Sequence, residues 1–318
     1  MTYNRKPIPR AILIFGAAAH IGGPLAAFLA REAPSIRLRL ATRDPAKGDR
    51  LRQAFPSADV VVADYLDLPS LQRAVEGMEG VFVITPWQTD ERPAMTNLVD
   101  ALKGSGSLVQ LLRLVGVQPE ASLHRVPQSL RDEGLALPIQ HPIAKRILDD
   151  SGLPVTYLNI GATFMDNFLM LGIREGLRRE RRLVWPERLI PWIDPRDIAE
   201  VAARLFLSDN HRHIGQFHTL NNGQDLLRFH EVAQLMSEVW DEPIAYDSSR
   251  ESFFASYPQI GPGLPHLWDF FQYEQDNEVV WARNDFVERM LGRKPTTLRD
   301  WLIEHRQAVL GAPEPATA

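Results

Sequence analysis

The sequence predicts an α/β protein: a Rossmann-like, doubly wound parallel sheet with a smaller, mostly helical C-terminal cap. Three observations lead there. Apolar runs of strand length alternate with helix-periodic segments through the first half of the chain. The first run, Ala11-Ile12-Leu13-Ile14-Phe15, ends directly in Gly16-Ala17-Ala18-Ala19-His20-Ile21-Gly22, a turn of the kind that joins a buried strand to a helix. Beyond it, past about residue 160, the alternation gives way to helical segments separated by Pro- and Gly-rich loops such as 257–265.

Taken in order, strands are expected at 12–15, 36–41, 60–63, 81–85, 108–115 and 155–160, apolar enough to be covered on both faces. Helices are expected at 24–31, 70–76, 94–103 and 143–150, the third stopped by Gly104-Ser105-Gly106. That makes six parallel strands. Later helical segments fall at 164–182, 197–208, 229–239, 286–291 and 298–309. The expected division is a nucleotide-binding domain over 1–162, with parts of 190–220, and a cap over most of 163–318.

The chain of 318 residues, 45% hydrophobic and 24% charged, can bury a sizeable core. Its net charge of -5 lacks the basic field that nucleic acid or an acidic membrane would need, so a small-molecule partner is expected, with no nucleic acid and no membrane. With no cysteine there is no disulfide, thiolate nucleophile or Cys-ligated metal, and a cytoplasmic home is expected. No metal is expected either, since His211-Arg212-His213 lacks a third ligand at convincing spacing. A monomer or homodimer is expected.

A strand that breaks at Gly16 and restarts as a helix leaves N–H groups free to hold a pyrophosphate. In the G-x-x-G-x-x-G form the glycines serve the turn, the phosphate approach and the helix packing; here the middle position is Ala19. Gly16, Ala18, Ala19, His20, Ile21 and Gly22 are the candidate phosphate residues. At the end of the second strand a cation suits a ribose 2′-phosphate where an acid would suit a diol, and Arg43 stands there, with Lys47 as a second cation. A solvated helix start is the alternative for both.

Further segments add to this one: Thr42-Arg43-Asp44-Pro45, Ala63-Asp64-Tyr65-Leu66-Asp67, Phe82-Val83-Ile84-Thr85-Pro86 and Ser151-Gly152-Leu153-Pro154-Val155-Thr156. Then come Phe164-Met165-Asp166-Asn167-Phe168, Ile193-Asp194-Pro195-Arg196-Asp197-Ile198-Ala199 and Gly292-Arg293-Lys294-Pro295 with Trp301. In this order and spacing the chain resembles the NmrA-like branch of the atypical short-chain dehydrogenases/reductases, which includes isoflavone-reductase-like enzymes. The resemblance implies NADP(H), with Arg43 on the 2′-phosphate and Asp64, beside Tyr65, accepting from the adenine amino group. A helix cap is the other reading of Asp64. Thr85, Pro86 and Trp87 leave the fourth strand where the cofactor should run, and Trp87 either stacks there or plugs the core. Gly161 resembles the loop flanking the nicotinamide, and Phe164, Met165, Asn167 and Phe168 would line the substrate side; for the aromatics, core packing is the alternative.

The reaction centre departs from the superfamily, whose Ser–Tyr–Lys set is absent: there is no Tyr-x-x-x-Lys, and Leu114-Val115-Gly116 replaces the serine. His141 and Lys145 remain, at i and i+4, with Pro142 at the start of their helix. His141 is the candidate proton donor or nicotinamide-side contact, with a capping histidine and a solvated Lys145 as the alternative. Hydride transfer needs positioning more than an acid, so the expectation is an NADPH-dependent reductase of a quinone, enone, imine or similar aromatic or conjugated molecule. The alternatives are a non-catalytic NADP(H) sensor and a chain that has lost its cofactor.

Overall fold

The computed structural model describes residues 5–118, 122–170, 172–278 and 282–311. The first apolar run forms strand β1 (Ala11–Phe15), with every residue buried. Alternation sends Ile12 and Ile14 into the core on one face of the sheet and Leu13 and Phe15 into the core on the other. Beside it lie β2 (Arg37–Thr42), β3 (Asp59–Val62), β4 (Gly80–Val83), β5 (Gln110–Val115) and β6 (Val155–Ile160). The described residues also form the short strands β7 (Thr163–Phe164), β8 (Arg182–Val184), β9 (Leu189–Ile193) and β10 (Phe217–Leu220).

The main sheet runs β10-β6-β5-β4-β1-β2-β3, and every neighbouring pair is parallel. Strand order reverses between β1 and β4, so the crevice at the carboxyl ends of these strands is the switch point where such sheets bind ligands. The connections are helical: α1 (Gly22–Glu32), α2 (Pro45–Ala54), α3 (Leu68–Val75), α4 (Glu91–Ser105), the short α5 (Gln128–Glu133) and α6 (Leu137–Asp150). Helices α3, α4 and α6 pack together, while α1 packs against α8 (Pro195–Leu207), which follows α7 (Ile173–Glu180).

Two expectations need correction. The sheet has a seventh strand, β10, which returns to pair with β6 from far along the chain. Its Phe-His-Thr-Leu sequence is half-buried at the sheet edge and so offers no apolar run. The helix expected over 164–182 is instead β7, a 3-10 turn (Met165–Phe168), α7 and β8. Gly172 at φ +80° and Arg181 at φ +48° bracket α7, and these left-handed residues end helical continuity on both sides.

The remaining elements are β11 (Leu226–Arg228), α9 (Phe229–Trp240), β12 (Ala245–Asp247), α10 (Arg250–Ser256), α11 (Leu264–Asp276), α12 (Phe286–Leu291) and α13 (Leu298–Leu310). A small sheet, β11-β9-β7, and the pair β12-β8 support the cap helices. Its core is aromatic: Phe168 stacks on Trp192 at 5.4 Å, and Trp185, Phe229, Phe253 and Trp301 join it. Val287 and Leu291 of α12 pack instead with the sheet-side core, against α8. Among the described residues no helix is long and apolar enough to cross a membrane.

Candidate functional site

The residues singled out after the strands follow the carboxyl ends of β1, β2, β3, β4 and β6, which all lie at one end of the parallel sheet. Gly16 has φ +69°, and a Cβ there would meet Ile84 Cγ2 at 2.6 Å. A Cβ on Gly22 would lie 2.3 Å from the Gly16 carbonyl oxygen, so α1 can start this close to β1 only with glycine. The Ala19 N–H donates to the Gly16 carbonyl at 2.9 Å. Ala18 and Ala19 are exposed and neither adopts positive φ, so the middle position does not demand glycine's conformational freedom. Buried Ile21 precedes α1, whose start has no side-chain cap; the Gly23 and Leu25 N–H groups donate to the Ala19 and Ile21 carbonyls at 2.9 and 3.0 Å, and Pro24 has none, so an anion here would have to meet the turn ahead of Gly23.

Arg43 follows β2 with its side chain 57% exposed and Nη1 4.0 Å from Asp64 Oδ2, a loose pair of little energetic weight. Lys47 is exposed in the first turn of α2, which Asp44 caps by accepting from the Ala46 and Lys47 N–H groups at 2.9 and 3.4 Å. Asp64 accepts from the Leu66 N–H at 2.9 Å and so closes its own turn; Asp67, not Asp64, stands at the N-cap of α3. Tyr65 is corrected to a core residue: it is buried, its ring lies 4.8 Å from that of Phe15, and its hydroxyl donates to the Ile84 carbonyl at 3.1 Å.

Past β4, Thr85 is tied into a buried polar group that the sequence reading missed. Arg113 of β5 donates to Glu91 Oε1 at 2.5 Å and to Thr85 Oγ1 at 2.9 Å, and Thr85 also donates to Glu91. The Glu91 N–H in turn donates to Gln140 Oε1 at 2.8 Å, one residue before His141. The signal was present, since an arginine inside the apolar run 108–115 requires a buried partner. Pro86 is exposed, and Trp87 is 48% exposed with its ring edge toward Phe270 of α11 at 6.5 Å, so it does not plug the core.

His141 is buried in the second turn of α6, so Pro142 lies inside the helix and not at its start. Nδ1 accepts from the Gly116 N–H at 2.7 Å, which leaves the ring proton on Nε2. Burial, reinforced by the Arg113 guanidinium, lowers its pKa to about 3, so the ring is a neutral hydrogen-bond donor. Lys145 does not join it: Nζ is 2.6 Å from Asp149 Oδ2 and sits 5.0 Å from the Tyr157 ring centre. A shared helix periodicity placed the two residues near one another, but a carboxylate one turn further on took the ammonium.

The folded pKa of His141 lies below its ordinary value of about 6.5. Below that value the unfolded chain binds a proton that the folded chain refuses, so this contribution to stability is present above pH ~6.5 and is lost as pH falls toward 3. His141→Gln is therefore expected to lose less thermal stability than the parent between neutral and mildly acidic pH. Equal losses in melting scans would remove the argument.

Gly161 is buried and donates its N–H to the Leu220 carbonyl at 3.2 Å, where β6 meets β10. Phe164 is half-buried, with its ring edge-on to His20, and Asn167 is half-buried in the following turn. Met165 and Phe168 are corrected: both are fully buried in the cap core. His20 Nδ1 meets Asp166 Oδ2 at 2.8 Å. Among the described residues no group of three or more His, Asp or Glu is arranged to hold a metal.

A parallel sheet that reverses order beside a glycine turn, with a cation at the end of β2, defines a Rossmann-type dinucleotide-fold protein. The chain belongs to the NmrA-like family, whose model matches residues 9–302. It is 26% identical over 313 residues to a (4-alkanoyl-5-oxo-2,5-dihydrofuran-3-yl)methyl phosphate reductase of Streptomyces griseus subsp. griseus, covering 95% of this chain and 100% of that protein. It is 25% identical over 238 residues to an NAD(P)H azoreductase of Xenophilus azovorans, covering 74% and 76% respectively. The Citrobacter sp. triphenylmethane reductase, solved with NADP(H), shares the fold at a TM-score of 0.76 and 19% identity, covering 93% of this chain and 99% of that one.

Proposed function

We propose that this chain is an NADP(H)-dependent reductase of a small aromatic or conjugated acceptor, working without a Ser–Tyr–Lys set. The observation that carries the reading is the content of one end of the sheet: a glycine cradle that a Cβ would fill after β1, an exposed guanidinium after β2 and a neutral imidazole against the end of β5. The similar proteins named as reductases support it. The turn 16–22 would hold the pyrophosphate, Arg43 and Lys47 the 2′-phosphate, Asp64 the adenine amino group, and the backbone around Gly161 the nicotinamide. When bound, NADPH supplies the hydride.

His141 presents Nε2–H as a fixed donor, which orients an acceptor oxygen or nitrogen. Trp87, half exposed, meets Phe270 of the cap edge-on and leaves part of its own ring open to a flat acceptor.

The test is NADPH oxidation against a panel of quinones, enones and imines, with cofactor binding followed by fluorescence. Turnover of one class is expected. Arg43→Glu should weaken NADPH about 10–100-fold, as for loss of hydrogen bonds to a charged group, and NADH far less. Equal losses would remove the 2′-phosphate assignment, and binding without any turnover would replace the reductase by a cofactor sensor.

A further inference from the structure

One histidine–carboxylate hydrogen bond crosses the crevice. His20 stands in the turn after β1 and Asp166 in the 3-10 turn after β7, 146 residues apart in sequence. In the sheet β1 and β6 are separated by β4 and β5. At about 4.8 Å per strand that is roughly 14 Å, which the turn after β1 and the chain leaving β6 span between them to meet. The 2.8 Å contact therefore closes a bridge over the strand ends, and Phe164 braces the imidazole edge-on at 5.0 Å.

We propose that His20, oriented by Asp166, is the proton donor of the reduction; this rests on the reductase reading above. Nδ1 is committed to the carboxylate, whose other oxygen is buried without a hydrogen-bond partner among the described residues. Across the ring, Nε2 has no partner among the described residues, and a quarter of the side chain is open to solvent. This is the arrangement in which a carboxylate holds one nitrogen so that the other can carry a mobile proton.

The other candidates are less suited. His141 is neutral and accepts a hydrogen bond at Nδ1, so losing its Nε2 proton would leave a buried anion with no cation bonded to it. Lys145 is held by Asp149. His20 in its imidazolium form holds protons on both nitrogens. Its Nε2–H bond breaks as an O–H or N–H bond forms on the acceptor atom that receives the electron pair, and the neutral ring stays bonded to Asp166 through Nδ1. Water restores the proton. The acceptor gains one hydride equivalent from the reduced cofactor and one proton from solvent.

His20→Gln and Asp166→Asn test the assignment. His20→Gln is expected to lower kcat measured at saturating NADPH by about 100-fold or more, the scale of general acid catalysis, over and above any change in cofactor affinity that comes through the turn 16–22. Asp166→Asn should give a smaller loss, and its ¹⁵N imidazole spectrum should show mixed tautomers where the parent shows His20 protonated at Nδ1. A parent spectrum without that Nδ1 proton would overturn the assignment whatever the activity. So would an active parent whose His20→Gln variant keeps its kcat or loses only NADPH affinity. Should Asp166→Asn fail to fold, His20→Gln and the parent spectrum decide. A parent that binds NADPH and reduces nothing overturns the reductase reading first, and the proton donor with it.

Discussion

Glu91→Ala is expected to lower the unfolding free energy by about 3–5 kcal/mol, the usual consequence of removing one partner of a buried ion pair. The Arg113 side chain is fully buried and that of Glu91 is 1% exposed, so no water can replace the carboxylate. Arg113 Nε and Nη1 already lack hydrogen-bond partners among the described residues, which leaves the guanidinium dependent on Nη2 and on this one charge. Urea unfolding measures the loss. Pairing Glu91→Leu with Arg113→Met should recover much of it, because the uncompensated charge goes too. A single-variant loss below about 1 kcal/mol would mean that the pair relaxes toward solvent, and the network would no longer explain how Thr85 and the His141 helix are held.

Gly22→Ala should abolish measurable NADPH binding and also destabilise the fold, by about 1–3 kcal/mol if it behaves as overpacking does elsewhere. The added methyl would fall 2.3 Å from the Gly16 carbonyl oxygen and 2.7 Å from its carbon, both backbone atoms. Neither can swing aside, so α1 must retreat from β1 and the cradle must open. Ala19→Gly is the matched control, since the exposed Ala19 needs no positive φ and its replacement should leave the cradle intact. Normal NADPH affinity in Gly22→Ala would show that the phosphates sit elsewhere.

The central strands were legible because a parallel sheet covered on both faces demands largely apolar runs; β1 and β4 supply them outright, and β5 and β6 do so around the buried polar residues Gln110, Arg113, Thr156 and Asn159. Strand β10 was not, since an edge strand is free to carry His218 and Thr219. Gly16, Gly22 and Arg43 could be singled out because the turn and the strand end dictate their chemistry locally. His141 with Lys145, and Met165 with Phe168, could not be sorted by pattern. Helical spacing says which residues are neighbours, but the choice between site and core depends on Gly116, Asp149 and Trp192, which are supplied by tertiary structure. The pairing of His20 with Asp166 is likewise invisible to any local rule.

The late return of β10 bears on how the chain is made. A ribosome that has released only the first 162 residues has delivered six strands of the main sheet, but neither α8, which covers α1, nor the edge strand beside β6. Until residue 207 emerges, the face of that sheet that carries α1 and α2 lacks α8, whose Ile198, Ala202, Leu205 and Phe206 complete the same core. The core on that side of the sheet is thus completed only by residues made after the first 162, whereas the contacts of the Gly16–Gly22 turn with Ile84 are all available before them.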